Sequence, residues 1–261
     1  MKKVVRVLVD PPLSGYENMS RDEALLEMGF PDAPLTLRFF EWEEETLSVG
    51  RFQKTAEMDF SYLEAKNIPL VRRPTGGRAI LHDKEVTFSL FIPTSSFEKH
   101  TFYYKELQKV LTRMMEKMGI KVDEKTESGI YTSSPYCFSI NVAHEITIGG
   151  RKIIGVAQAR GERGNLFQAS FILEGNREEV ASCFKKKEKI QKELENSLLA
   201  LCEVLSPLPE KRKIYRLLLE SLREEWGVEI EEGEWSVEEL EKAEELFSTK
   251  YYPGSWYHTE R

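Results

Sequence analysis

Hydrophobic and polar residues alternate along several short segments of the chain, the pattern of β-strands with one buried face. The clearest alternation covers residues 85–92, where Val, Phe, Leu and Ile alternate mostly with Glu, Thr and Ser. A hairpin is predicted where Gly149-Gly150 separates two such segments, 145–148 and 151–157. Further strands are predicted at residues 4–9, 35–39, 46–49, 68–72 and 167–173.

Apolar residues three or four positions apart predict an amphipathic helix over residues 103–118, with Gly119 as its end. Ser20 and Glu23 fit a capping box at the start of an earlier helix of about two turns that ends at Gly29. Asp59 is predicted to cap a short helix running to Lys66.

Residues 177–250 are rich in charged, helix-forming side chains, which predicts two or three helices and a last short helix from Ser236. Strands and helices are mixed without regular alternation before this segment. We therefore predict an α+β fold, with mixed or antiparallel sheets packed against helices. We expect a catalytic domain at residues 1–185 and a small helical appendage at residues 186–261.

Composition narrows the function classes. Of the 261 residues, 41% are hydrophobic and the net charge is −7, which argues against disorder and against a protein that binds nucleic acid over its whole surface. Three widely spaced cysteines suggest neither a disulfide framework nor a zinc site, so a reducing cytoplasm is expected. The N-terminus predicts a strand rather than a secretion signal, and we expect no membrane span.

Glycines and charges are concentrated in residues 72–83, between two predicted strands. The pair Gly76-Gly77 lets a backbone approach a ligand closely, and Arg72, Arg73 and Arg78 surround it with cations. This pattern fits a loop that cradles an anion or a carbonyl oxygen. It fits equally well a tight surface hairpin with solvated arginines.

A second candidate for chemistry is the pair Cys137 and Lys152, which lie on either side of the predicted hairpin. A thiol attacks as the thiolate, and a nearby ammonium lowers its pKa. The alternative is a small buried cysteine and an exposed strand lysine. His82 and His144 are candidate general bases, and Cys183 and Cys202 are expected to be packing residues.

Four segments together resemble the lipoate–protein ligase and octanoyltransferase superfamily: residues 18–24, 48–53, 72–83 and 150–158. The Cys137 to Lys152 spacing and the Thr-Gly-Gly-Arg-Ala-Ile-Leu-His-Asp sequence are most similar to the LipM-type octanoyltransferases. The chain departs from the family at residues 141–144 and at Ala169 and Ser170, where the family often has His and Gly.

The resemblance implies a two-step acyl transfer. Cys137 would take octanoyl from acyl carrier protein as a thioester, and a lysine of a lipoyl domain, such as glycine cleavage H protein or a 2-oxoacid dehydrogenase E2, would then receive it. Lys152 would lower the pKa of the Cys137 thiol and shuttle protons. No metal or cofactor is implied. The implied substrate-binding residues are Arg73, Thr75, Gly76, Gly77, Arg78, His82, Gly155, Val156 and Ala157.

Other functions stay open at this point: an ATP-dependent lipoate–protein ligase, an amidotransferase between lipoyl domains, and a non-catalytic lipoyl-domain binder. The position of Cys137 favours the transferase. An acidic carrier protein would seek a basic patch, for which residues 72–78, 185–187 and 211–213 are candidates. The two later runs are also typical of solvated helix faces.

Overall fold

The computed structural model describes residues 4–29, 34–93, 100–124, 134–136 and 145–253. Its strands are β1 (Val4–Leu13), β2 (Leu35–Trp42), β3 (Thr46–Val49), β4 (Leu70–Arg72), β5 (Ile80–His82), β6 (Glu85–Pro93), β7 (Ile146–Ile148), β8 (Arg151–Arg160), β9 (Gly164–Ile172) and β10 (Glu229–Glu232). Its α-helices are α1 (Gly15–Met28), α2 (Phe60–Lys66), α3 (His100–Lys117), α4 (Arg177–Ser182), α5 (Lys187–Ser197), α6 (Lys211–Trp226) and α7 (Val237–Leu246).

Seven strands form one mixed sheet in the order β10-β1-β2-β6-β9-β8-β7. Strand β1 is parallel to both β10 and β2, and the remaining neighbours are antiparallel. The parallel pair β1 and β2 needs a crossover, which α1 provides. A second sheet has the order β4-β3-β5. The predicted α+β class is confirmed.

One face of the large sheet packs against α3 and α6. The predicted apolar stripe of α3 is confirmed, because Leu107, Val110 and Met114 are buried in the main hydrophobic core. Leu218 of α6 belongs to the same core. Gly119 follows the helix with a φ of 76°, the left-handed conformation that glycine adopts without strain.

The small sheet, α2, α4 and α5 cover part of the other face. Leu47, Leu63 and Leu194 form a second core there, together with Ile172 from the large sheet. This second layer corrects the prediction that the strand at residues 85–92 is half-buried. All nine residues of β6 are buried, and the polar side chains Glu85, Thr87 and Ser89 face protein, not solvent.

Helix α1 begins earlier than predicted. Its capping box is Ser14 with Glu17: the Glu17 amide donates to the Ser14 hydroxyl, and the Ser14 amide donates to the Glu17 carboxylate. Ser20 and Glu23, the predicted box, lie inside the helix, and the Ser20 hydroxyl donates to the Glu17 carbonyl. The helix therefore has 14 residues rather than two turns, and it ends at Gly29 as predicted.

The segment after residue 185 contains a strand as well as helices. Strand β10 pairs with β1, and Ser236 caps α7 with Glu239 as predicted. Tyr251, in a π-helical turn after α7, is buried against α1. The division of the chain at residue 185 stays a prediction. Within the described ranges, no helix is both long and apolar enough to cross a bilayer.

Candidate functional site

A pocket lies between α1, the small sheet and strands β8 and β9 of the large sheet. The pocket is narrow, with a free volume of about 20 Å³. The lining residues are Met19, Phe40, Trp42, Arg73, Ile80, His82, Thr87, Gly155, Val156, Ala157, Gln168 and Ser170.

Five of the predicted substrate-binding residues line this pocket. Arg73 and His82 come from the small sheet and its loop, and Gly155, Val156 and Ala157 come from β8. Small residues on β8 leave room between the sheets, as the sequence suggested. The remaining predicted residues lie in the loop beside the pocket, at positions 75–78.

This loop is held by the buried Arg73 guanidinium. Its Nη2 group donates to the carbonyls of Gly76 at 2.8 Å and Arg78 at 2.7 Å, and its Nη1 group donates to the Ser48 hydroxyl at 3.1 Å. Arg72 similarly donates to the carbonyls of Gly50 and Gln53. The two arginines that were expected to cradle a ligand thus bind backbone carbonyls in this structure.

The loop also approaches its neighbours closely. The Gly76 amide donates to the Gln158 carbonyl at the end of β8. A Cβ added to Gly50 would lie 2.1 Å from the Gly77 carbonyl oxygen, so only glycine fits at position 50. Gly77 has a φ of 89°, which also favours glycine. These contacts fix the loop of residues 75–78 against strand β8.

His82 sits in a chain of buried polar groups at the pocket wall. Its Nδ1 atom lies 2.6 Å from Glu85 Oε1, its Nε2 atom lies 2.7 Å from Ser48 Oγ, and its ring stacks on Trp42 at 3.9 Å. A carboxylate only accepts, so Nδ1 carries the proton in the pair with Glu85. The Trp42 indole and the Thr87 hydroxyl donate to the same Glu85 oxygen. The imidazole is thereby fixed in one orientation.

A second network of buried polar side chains adjoins the pocket, and it was not predicted from the sequence. Gln168 of β9 donates to Asp22 of α1 at 2.6 Å and accepts from the Thr75 hydroxyl at 2.5 Å. Asp22 is paired with Arg38, which is fully buried and also pairs with Asp10. The signal in the sequence was a set of charged and polar residues inside apolar segments.

Lys152 is completely buried on β8. Its Nζ atom lies 2.7 Å from Glu145 Oε1, and the Glu145 side chain is also buried. A buried ammonium requires such a partner, because taking an isolated charge out of water is costly. The prediction of Lys152 as a catalytic residue is not tested by this geometry, but the exposed strand lysine considered as its alternative is wrong.

Cys137 and His144 lie outside the described residues. The residues just before Cys137 are anchored beside the loop: the Ala79 amide donates to the Pro135 carbonyl, and Tyr136 pairs with Ala79 in a short bridge. Tyr136 and Leu198 both line a second cleft, and Leu198 forms a bridge with Lys152. The segment before Cys137 is therefore linked to the strand that carries Lys152 indirectly, through Leu198, which lines the cleft with Tyr136.

The other two cysteines differ from each other. Cys183 is buried, and burial together with Glu179 and Glu45 raises its pKa to about 12. Such a thiol is unreactive at neutral pH. Cys202 is exposed, which corrects its prediction as a packing residue. Of the family departures, Ala169 faces the main core and Ser170 lines the pocket. The described residues contain no cluster of ligands suited to a metal ion.

Solved structures share this fold. A lipoate–protein ligase A bound with ATP superposes with a TM-score of 0.80 at 20% identity, covering 98% of both chains. A bipartite lipoate–protein ligase from Thermoplasma acidophilum superposes with a TM-score of 0.82 at 20% identity, covering 97% of this chain and 96% of that one. At this identity the likeness establishes the fold alone.

Sequence comparison establishes the family. Residues 14–223 match the lipoyl protein ligase A/B catalytic domain. The octanoyltransferase LipM of Kyrpidia tusciae is 32% identical over 256 residues, covering 92% of this chain and 93% of that protein. The octanoyltransferase LipM of Bacillus subtilis is 29% identical over 259 residues, covering 92% of each. The chain therefore belongs to the lipoyl protein ligase A/B catalytic domain family and, within it, is an acyltransferase.

Proposed function

We propose that this enzyme transfers an octanoyl group from acyl carrier protein to a lysine of a lipoyl domain, through a thioester on Cys137. Octanoyl transfer in lipoate biosynthesis follows from its similarity to proteins named octanoyltransferase LipM over more than nine-tenths of the chain. The carrier as donor and the cysteine as nucleophile are our own extension. A thiolate nucleophile suits a reducing compartment, so we place the reaction in the cytoplasm.

The observation that carries the proposal is an indirect contact between the segment before Cys137 and the strand that carries Lys152. Tyr136, which directly precedes Cys137, lines this cleft together with Leu198, which is bridged to the backbone of the buried Lys152. A cation near a thiol favours the thiolate. The cation that we assign to this role is the buried Lys152 ammonium, which is held by Glu145 at 2.7 Å.

The two steps balance without ATP. In the first, the Cys137 thiolate forms a bond to the acyl carbon, the carrier sulfur leaves, and that sulfur takes a proton from Lys152. In the second, the neutral amine of the acceptor lysine attacks the enzyme thioester, the Cys137 sulfur leaves as thiolate, and the amine proton returns to Lys152. Exchange between thioesters is nearly neutral in free energy, and formation of the amide is downhill.

We assign the acyl chain to the pocket. Met19, Phe40 and Val156 give it apolar walls, and Gly155 and Ala157 leave space along β8. Burial of each methylene contributes about 0.8 kcal/mol, so a chain of medium length gains several kcal/mol there. Because the space is narrow, we expect the flexible Met19 side chain to move when the chain enters.

The decisive experiment is intact mass spectrometry after mixing the protein with octanoyl–acyl carrier protein and no ATP. We expect one octanoyl group on the protein, located at Cys137 and lost when a lipoyl domain is added. Cys137→Ser should carry no adduct, whereas Cys202→Ser, which removes an exposed thiol, should be acylated like the unaltered protein.

Other results would assign other functions. Modification of a lipoyl domain only with free octanoate and ATP would make the protein a ligase. Acylation of Cys137 only by an octanoylated lipoyl domain would make it an amidotransferase. Binding of a lipoyl domain with no transfer under any condition would leave a binding protein.

A further inference from the structure

A groove with a basic rim lies next to the segment that leads to Cys137. Its free volume is about 130 Å³. We call it the basic groove and define it by its lining residues, which are Ala56, Glu57, Pro135, Phe184, Lys185, Lys186, Lys189 and Ile190. These residues come from three separate parts of the chain, so only the tertiary structure brings them together.

The groove is built on firm backbone contacts. The Lys185 amide donates to the Glu57 carbonyl at 3.0 Å, and the Lys185 ammonium donates to the Ala56 carbonyl at 2.8 Å. Met58 and Phe184 pair in a β-bridge. The Gln53 side chain donates to the Pro135 carbonyl at 2.7 Å. The shape of the groove is therefore set by the fold.

The charge of the groove is opposite in sign to the net charge of the chain. The chain as a whole has a net charge of −7, yet three lysines and a single carboxylate line the groove. Lys186 and Lys189 are exposed at the rim, although Lys189 also lies 3.7 Å from Glu193 on α5. A local positive field on an acidic protein selects for an acidic partner and speeds its association.

The floor of the groove is apolar and is formed by buried side chains. Phe184, Ile190 and Pro135 lie in it. Nearby, Phe52 is 86% exposed, and the Arg51 guanidinium lies 5.4 Å from the centre of its ring. An exposed aromatic beside an arginine is typical of a protein-binding surface, where aromatic and arginine side chains contribute most of the affinity.

The groove also lies close to the segment that leads to Cys137. Pro135 lies two residues before Cys137 in the sequence, and two residues of extended chain span at most about 7 Å. The Arg51 amide donates to the Thr75 carbonyl, which connects the exposed Phe52 to the loop beside the pocket. A partner in the groove would thus be held beside the proposed nucleophile and the acyl pocket.

We propose that the basic groove is the docking surface for the acidic acyl carrier protein that donates the acyl group. An acidic helix of the carrier places carboxylates against Lys186 and Lys189 and one apolar side chain in the groove near Phe184. This inference rests on the proposed function, since it assumes a carrier-bound thioester as donor.

The test compares two charge reversals of equal size. Lys186→Glu/Lys189→Glu alters the groove, and Arg212→Glu/Lys213→Glu alters exposed basic residues at the start of α6. The rate of Cys137 acylation is measured by intact mass spectrometry against the concentration of octanoyl–acyl carrier protein, and again with octanoyl–coenzyme A as a carrier-free donor.

We expect the groove variant to need about tenfold more carrier for half-maximal rate at low salt, a difference that shrinks at high salt because the charges are screened. Its rate with octanoyl–coenzyme A should match that of the unaltered protein, and the α6 variant should behave normally with both donors. Phe52→Ala should weaken the carrier reaction at all salt concentrations.

Three results would overturn the docking proposal. The groove variant could match the α6 variant, it could lose activity with both donors, or it could be impaired only in transfer to the lipoyl domain, which would make the groove an acceptor surface. If no donor acylates the unaltered protein, the proposed function fails. Salt-dependent binding of the fluorescently labelled carrier to the two variants then still tests the docking surface by itself.

Discussion

The Asp22 carboxylate on α1 accepts a 2.6 Å hydrogen bond from the Gln168 amide on β9, across 146 positions of sequence. The same amide accepts from Thr75 in the loop beside the pocket. Helix, sheet and loop are therefore joined by one side chain that also lines the pocket. Replacing this neutral amide with a charged group should therefore alter both the stability of the protein and the shape of the pocket.

Gln168→Glu keeps the shape of the side chain but puts a carboxylate against Asp22. We expect a loss of about 3 kcal/mol in the free energy of unfolding at pH 7, because a buried donor is replaced by a like charge. The loss should diminish at lower pH, where the two carboxylates share a proton. Urea unfolding at pH 5 and pH 8 measures both effects.

The matched control is Gln158→Glu on the adjacent strand β8, where the side chain is only partly buried and its partner is Asn165. It should cost less than about 1 kcal/mol and show little dependence on pH. Equal losses for the two variants at both pH values would show that the Asp22 contact is unimportant.

Substitutions in the buried pair Lys152–Glu145 can distinguish the effect of Lys152 on folding stability from its effect on acyl transfer. Lys152→Met leaves Glu145 buried without its cation and should cost about 3–5 kcal/mol. Lys152→Met/Glu145→Leu should recover most of that stability, because an apolar pair of similar size replaces the ion pair. Urea unfolding measures the recovery.

Acyl transfer should stay near background in both variants if Lys152 acts in the reaction. In a further variant, Lys152→Ala, alkylation of Cys137 should require a higher pH, measured with Cys202→Ser in the background. Full activity of the stabilised double variant would remove Lys152 from the mechanism.

Gly50→Ala should displace the loop that holds Gly77, because the added methyl meets backbone atoms at 2.1 and 2.8 Å. Overpacking of this kind costs about 1–3 kcal/mol. We expect the rate of Cys137 acylation to fall by more than the loss of folded protein explains, as measured at a temperature where the variant is fully folded.

Gly149→Ala is the control for that substitution. Gly149 has a φ of 57° in the turn between β7 and β8, and an added Cβ meets nothing within 4 Å. Its left-handed conformation should cost about 1 kcal/mol of stability and leave the acylation rate unchanged. A normal rate in Gly50→Ala would mean that the loop position is not critical.

Asp83, next to the pocket histidine in sequence, should lower stability at neutral pH. Burial, together with the charges of Glu179 and Glu85, raises the pKa of its carboxyl above the ordinary 3.8. The folded state therefore binds this proton more tightly than the unfolded state. The stabilisation that results is present below pH 3.8 and is lost as the pH rises through the raised pKa.

Asp83→Asn should consequently raise the free energy of unfolding by up to about 0.5 kcal/mol at pH 7, since Asp83 is partly exposed and screened. This corresponds to a melting temperature about 1–2 °C higher. The gain should vanish near pH 3. Thermal melts at pH 3, 5 and 7 give the profile.

Asp123→Asn should change the free energy of unfolding in the opposite direction. Although partial burial opposes it, hydrogen bonds from the Gly150 amide and the Thr147 hydroxyl hold the pKa of Asp123 below its usual value. This variant should lose stability at pH 7, and the loss should disappear as the pH falls below the ordinary range for aspartate. If both variants change the free energy of unfolding in the same direction at pH 7, the assigned pKa shifts are wrong.

Much of the candidate pocket could be predicted from the sequence, because local features form it. The Gly76-Gly77 loop, the small residues of β8 and His82 were all identified, and the pocket includes or adjoins each of them. Met19, Trp42 and Gln168 were not predicted as pocket residues. Met19 lies in a family segment and Gln168 is a polar residue inside an apolar segment, but neither feature by itself indicates a pocket wall.

The sequence by itself determined the elements whose signals lie within one turn or one strand. The hairpin at Gly149-Gly150, the helix capped by Asp59 and the stripe of α3 all formed as their patterns predicted. Hydrogen bonds and steric limits between near neighbours are sufficient to specify such elements.

Only the tertiary structure decided which polar residues are buried and which distant segments meet. The alternation in β6 predicted a solvent-facing side, but a second layer covers it and turns Glu85 into the partner of His82. Strand β10 owes its place to pairing with β1 rather than to its own charged sequence. Such outcomes depend on contacts across the whole chain, because burial and strand pairing are properties of the packed layers and not of any one segment.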